Sequence, residues 1–116
     1  MTSAKALSVG DVMTSQPLTI GREQPTSTAR EMMRTLDVHH LPILERGELV
    51  GVLTSHDHER FDTVDAYAVG PDAPLGEVAA EMVARRSDCA VVIERGRVAG
   101  IFTSQDALRV IAGLMP

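Results

Sequence analysis

The sequence predicts an α/β fold of the α+β kind: two pseudo-symmetric β-α-β-β-α repeats packed sheet to sheet in one module over residues 1–116. Three observations lead there. The run Leu41–Asp57 aligns without a gap on Ala90–Asp106, an offset of 49 residues. Each copy has the same order of apolar patterns, first strand-like, then helical, then two strand-like runs. The chain is about the length of one domain, and one copy alone exposes an apolar sheet face that a second can cover.

The elements follow in order. Leu18–Ile20 in the first repeat and Tyr67–Val69 in the second are short apolar stretches, broken by Gly21 and Gly70. Pro25 and Pro74 then stand before a helix. The first helix carries Ala29, Met32, Met33 and Leu36 at helical spacing, and Thr28 with Glu31 suggests a capping box at its start. The second carries Leu75, Val78, Ala79, Met82 and Val83. Leu41–Leu44 and Leu49–Leu53 follow, joined by Glu45-Arg46-Gly47-Glu48, a hairpin signal with a glycine free to take positive φ. Ala90–Ile93 and Val98–Phe102 are their copies. A Thr-Ser-x-Asp segment then opens another helix, short in repeat one (Asp57 to about Phe61). In repeat two it is longer, with Ala107, Leu108, Ile111 and Leu114 as its stripe. The repeats span about 8–61 and 62–114, and Asp62–Asp65 is too short for a flexible linker.

Composition narrows the functions. Hydrophobic residues are 44% and charged residues 23%, an ordinary globular balance. The aromatics are Phe61, Tyr67 and Phe102, so aliphatic side chains must build the core. The net charge of −5 disfavours a nucleic-acid partner. The single cysteine, Cys89, forms no internal disulfide, and Met1–Leu7 holds no long apolar run. With no stretch fit to span a membrane, the expected location is cytoplasmic, with no membrane partner. No nucleophile stands beside a base, and no Walker or GxGxxG loop occurs, so no catalytic role is expected. His56-x-His58 lies near His39-His40, but the number and geometry of ligands for a metal site are lacking.

Three motifs carry a resemblance. They are Asp11-Val12-Met13-Thr14 with Pro17, His39-His40-Leu41-Pro42-Ile43, and Gly51-Val52-Leu53-Thr54-Ser55-His56-Asp57, with a second copy of the last at Gly100–Asp106. From about Val9 to Ala112 the chain resembles a tandem CBS-domain pair, or Bateman module, in its stand-alone form. The resemblance implies a regulatory role without a reaction. Its ligand would be AMP, ADP, ATP or S-adenosylmethionine, bound in clefts between the repeats, with no cofactor required. It also implies a homodimer and a separate regulated protein. The site around Asp106 would borrow Leu18 and the Val38-His39-His40 segment, and the site around Asp57 would borrow Tyr67 and its neighbours. Leu18, Ile20 and Val69 would sandwich an adenine ring.

The chemistry of Thr54 with Asp57, and of Thr103 with Asp106, fits that role. A helix start offers free backbone N–H groups to a phosphate, a threonine hydroxyl adds a donor, and a carboxylate accepts from ribose hydroxyls. Thr-x-x-Asp is also a capping box, which needs no ligand. The repeats differ: His39-His40 precedes the first Leu-Pro-Ile strand, whereas Asp88-Cys89 stands at that place in the second, where Asp88 repels phosphate. The second reading is therefore a structural or interaction dimer that binds no nucleotide.

Overall fold

The structure is a computed structural model and describes residues 7–56 and 60–114. Its fold is mixed α+β. The described elements are four helices and eight strands: α1 (Val9–Val12), β1 (Thr14–Ser15), β2 (Ile20–Gly21), α2 (Thr26–Leu36), β3 (His40–Glu45), β4 (Glu48–His56), β5 (Arg60–Val64), β6 (Ala68–Val69), α3 (Leu75–Arg85), β7 (Cys89–Glu94), β8 (Arg97–Thr103) and α4 (Ser104–Leu114). They divide into two compact units. Pro17–Ala66 forms a central unit, and the residues up to Gln16 join those from Tyr67 onward in a terminal unit.

The central unit holds the sheet β2-β3-β4-β5, and the terminal unit holds β1-β8-β7-β6. In each, a short strand pairs in parallel with the first long strand, Ile20 opposite Ile43 and Val69 opposite Val92, so α2 and α3 are crossover helices. The long strands form two-residue hairpins, with Glu45 opposite Glu48 and Glu94 opposite Arg97. Both central residues of each turn, Arg46-Gly47 and Arg95-Gly96, have positive φ. That is the type I′ geometry, which matches strand twist. A bulge recurs as well: Leu44 pairs with Leu49 and Ile43 with Gly51, leaving Val50 as the extra residue, and Ala99 is its counterpart.

α2 and α3 begin after Pro25 and Pro74 and end on residues in the left-handed region, Asp37 (φ 51°) and Arg86 (φ 54°). Val38 N–H donates to Met33 O at 3.0 Å and Ser87 N–H to Met82 O at 2.9 Å, the bond of a Schellman end. The Thr28–Glu31 capping box expected for α2 is not its start: Pro25 is the N-cap, which sets Thr28 inside the first turn.

The helices bury less of their stripes than their spacing suggests. On α2, Ala29 and Met33 are buried against Ile20 and Leu41, while Leu36 is exposed. On α3, Leu75, Val78 and Met82 meet Val9, Ala90, Val92 and Phe102, while Val83 is 78% exposed. α4 turns Ala107 and Val110 to that core and leaves Leu108 and Ile111 exposed, a rotation from the expected stripe.

Two departures bear on the site. First, the short helix expected from Asp57 to about Phe61 is not formed where it is described. Arg60 and Phe61 belong to β5, which pairs antiparallel with β4 from Val52–Val64 to His56–Arg60. Asp57 lies outside the described residues. Second, the lead-in to repeat one pairs with repeat two. β1 runs antiparallel to β8, with Thr14 opposite Ile101 and Ser15 opposite Gly100, and Val9 is fully buried in the terminal core. The repeated glycine of the Gly-x-x-Thr motif has its reason here. A Cβ on Gly51 would come within 3.3 Å of Val64 O, and one on Gly100 would collide with the Met13 side chain. Each glycine sits under the strand or segment that crosses it.

Candidate functional site

The second Thr-x-x-Asp motif is built where β8 meets α4. Thr103 ends the strand, and Ser104, Gln105 and Asp106 are the first three helical residues. Asp106 Oδ2 accepts from the Thr103 N–H at 2.9 Å and from Thr103 Oγ1 at 3.1 Å. The Asp106 N–H donates back to Thr103 Oγ1 at 3.3 Å. This is the reciprocal pattern of a capping box. Asp106 is only 5% exposed. Its other oxygen, Oδ1, accepts from Thr14 Oγ1 at 3.3 Å and from Arg109 Nη1 at 3.0 Å.

Four donors nearly exhaust a carboxylate, which has about four lone-pair positions. A ribose diol can reach Asp106 only by replacing a donor. The replaceable ones are on Oδ1. Arg109 is largely exposed, so its ion pair contributes little, and Thr14 is held at 3.3 Å, a long bond for a hydroxyl donor. Thr14 and Arg109 were not among the residues expected in the site. The signals for them were present: Thr14 ends the Asp-Val-Met-Thr lead-in, and Arg109 aligns with Arg60 at the same offset of 49 as the motif.

The first motif is placed differently. Thr54 lies within β4, with His40 opposite it on β3 and Asp62 opposite it on β5. Its hydroxyl donates to Asp62 O at 3.3 Å. Thr54 is therefore flanked by two strands and not set at a helix start, so the phosphate cradle argued from a helix N-terminus has no counterpart at Thr54. The structure does bring His39 and His40 next to Thr54: Ser55 N–H donates to His39 O at 2.9 Å, and His39 Nε2 stands 3.9 Å from Asp37 Oδ1.

Of the expected adenine-sandwiching side chains, Ile20 is buried in the central core beside Ala29, Met33 and Leu41. Leu18 is outside the strands and exposed. Val69 packs against the terminal core. Tyr67 packs there too, and the Arg85 guanidinium lies 4.4 Å from its ring centroid, covering one ring face. Arg85 is itself held by Glu81 at 2.7 Å. Burial, then the Glu81 charge, pushes the Tyr67 phenol up, against the opposing pull of Arg85.

Two repeats of one strand-helix-hairpin plan, each closed by a Thr-x-x-Asp segment, define a tandem-repeat α+β module. A family model described as the CBS domain matches residues 9–57 and again 60–113; the chain belongs to the CBS-domain family and is a CBS pair. Two curated relatives cover 90% of this chain. One is the homoserine O-acetyltransferase of Methanococcoides burtonii, 36% identical, and the other is the L-aspartate semialdehyde sulfurtransferase of Methanocaldococcus jannaschii, 30% identical. The chain spans only 24% and 23% of their lengths. Among solved structures, the CBS domain pair of protein MJ0100 superposes with a TM-score of 0.82 at 26% identity, covering 93% of this chain and 98% of that one. That structure was determined in complex with 5-methylthioadenosine and S-adenosyl-L-methionine. Among the described residues, no helix is long and apolar enough to cross a membrane.

Proposed function

We propose that this CBS pair is a non-catalytic regulatory module that senses an adenine-type ligand, AMP, ADP, ATP or S-adenosylmethionine, and passes the signal to a partner by a conformational shift. The observation that carries the reading is the near-complete structural match to a CBS pair bound to two S-adenosyl-type ligands. The Asp106 site supports it. A ligand ribose competing for Oδ1 would displace Thr14, and Thr14 belongs to the strand that closes the terminal sheet. Ligand chemistry would thereby become a change in the hold on the lead-in, a shift between two populated states. In this reading the protein is a homodimer, and Val83, Leu108 and Ile111, exposed on α3 and α4, are the side chains that favour self-association.

Titration calorimetry with the four ligands tests the reading, run on the native chain and on Asp57→Ala and Asp106→Asn. Saturable heat with at least one ligand, lost in one variant, is the expected result. No heat with any of the four sinks it, and the structural dimer that binds no nucleotide then stands instead.

A further inference from the structure

The two units treat one groove differently. In the terminal unit the lead-in lies along the start of α3. Val9 N–H donates to Ala73 O and Gly10 N–H to Pro71 O, both at 2.9 Å, while Leu75 N–H donates to Leu7 O at 3.0 Å. The Val9 side chain is fully buried against Leu75, Val78, Val92 and Phe102. Gly10 is needed for the approach, because a Cβ there would stand 2.8 Å from Pro71 O.

An offset of 49 carries Pro71, Ala73 and Leu75 onto Arg22, Gln24 and Thr26, and carries Val78, Val92 and Phe102 onto Ala29, Ile43 and Leu53. In the central unit these same residues line an open groove of about 340 Å³. Its rim offers the groups that the lead-in uses in the other unit: the carbonyls of Arg22 and Gln24, and the N–H of Thr26, which as the first residue of α2 has no helical acceptor.

Among the described residues, the chain does not supply a matching plug. β5 lies on β4 as β1 lies on β8, with Val64 opposite Val52 where Thr14 is opposite Ile101. Upstream of Thr14 the lead-in turns into α1, whereas upstream of Val64 the chain stays on β4 as β5, with Arg60 opposite His56.

We infer that this groove docks a segment of a partner protein with the chemistry of Leu7–Val12: a main chain presenting two N–H groups and one carbonyl, with one small branched apolar side chain followed by glycine. Backbone bonds would give affinity and the branched side chain would give selectivity, as in other main-chain docking modes. The docking requires no bound adenine ligand.

The probe is a synthetic peptide with the sequence of Leu7–Gln16, titrated into the ¹⁵N-labelled full chain and followed by amide chemical shifts. Expected are saturable shifts at Gly21, Arg22, Thr26, Ala29 and Leu53, with a dissociation constant of roughly 10⁻⁵–10⁻³ M, as suits a small interface. Val50→Glu, at the exposed edge of the groove, should weaken binding at least tenfold, and so should Val9→Asp in the peptide, which leaves the protein untouched. Arg97→Ala, at an exposed position of β8 in the terminal unit, should change nothing. Three results would overturn the inference: no shifts at millimolar peptide, shifts centred on Val78, Val92 and Phe102, or affinity unchanged by both the Val50 and the peptide substitutions. None of these bears on the calorimetric test, so the two readings fail separately.

Discussion

Asp106 grips Thr103 twice, through the Thr103 N–H at 2.9 Å and the hydroxyl at 3.1 Å, and is gripped in return at 3.3 Å. With Thr14 and Arg109 on its other oxygen, this one carboxylate ties β1, β8 and α4 together. Asp106→Ala should therefore destabilise the folded protein, by roughly 1–3 kcal/mol, from the lost cap and the stranded partners. Urea unfolding without ligand measures it. A residue needed only for ligand would leave the midpoint where it was.

The same threonine in the two repeats should respond unequally. Thr103→Val removes a helix cap, at about 1 kcal/mol. Thr54→Val removes one 3.3 Å bond to Asp62 O inside a sheet, where valine has good strand propensity, and should cost at most about 0.5 kcal/mol. Paired thermal melts decide this. Equal losses would mean that Thr54 also holds a helix start.

Cys89 is 4% exposed. Burial, aided by the neighbouring Asp88 charge, raises its thiol from 9.0 to about 11. At pH 8 the thiolate fraction is then about a hundredfold below that of a free cysteine, and alkylation of the native protein should slow by at least that factor. The sign for stability follows. The unfolded thiol ionises first, so the unfolded state binds fewer protons between pH 9 and about 11, and stability falls across that window. A Cys89→Ala variant lacking this alkaline loss would support the assignment. Native alkylation at the unfolded rate would refute it.

Asp37 and Arg86 end their helices in the left-handed region. Glycine is free of the side-chain penalty there, roughly 1 kcal/mol for most residues and less for Asp. Arg86→Gly should stabilise the protein by about 0.5–1 kcal/mol and Asp37→Gly by less. Chemical denaturation of both variants checks the order. A loss for Arg86→Gly would show that its side chain does more than tolerate the bend.

Local chemistry made much of the fold legible. Arg-Gly between two β-rich runs announced both hairpins, and Pro25 and Pro74 marked both helix starts. Arg60 and Phe61 were misread because the repeat frame carried the α4 pattern onto them. In Arg60-Phe61-Asp62-Thr63-Val64, the aromatic and β-branched content of Phe61, Thr63 and Val64 was the better guide. The pairing of Thr14 with Ile101 has no local signal, since it joins residues from opposite ends of the chain. For the candidate site, Thr103 and Asp106 were singled out by their repeated spacing. Their saturation by Thr14 and Arg109 depends on that distant pairing and could not be seen without it. Val83 and Ile111 looked like core by period alone, because helical spacing does not say which side of a wide stripe faces inward.

The pairing of β1 with β8 also sets an order of events at the ribosome. Pro17–Ala66 is contiguous, so the central unit has all its strands once its last residues emerge. The terminal unit cannot close then, because its first strand precedes the central unit and must wait for β8, which follows it. Closing that long interval carries a loop-entropy cost and slows folding. Until then the Leu7–Met13 segment stays unsatisfied while the central unit displays a groove of matching design. The nascent chain thus holds its own apolar segment and a competing receptor together before the proper one exists.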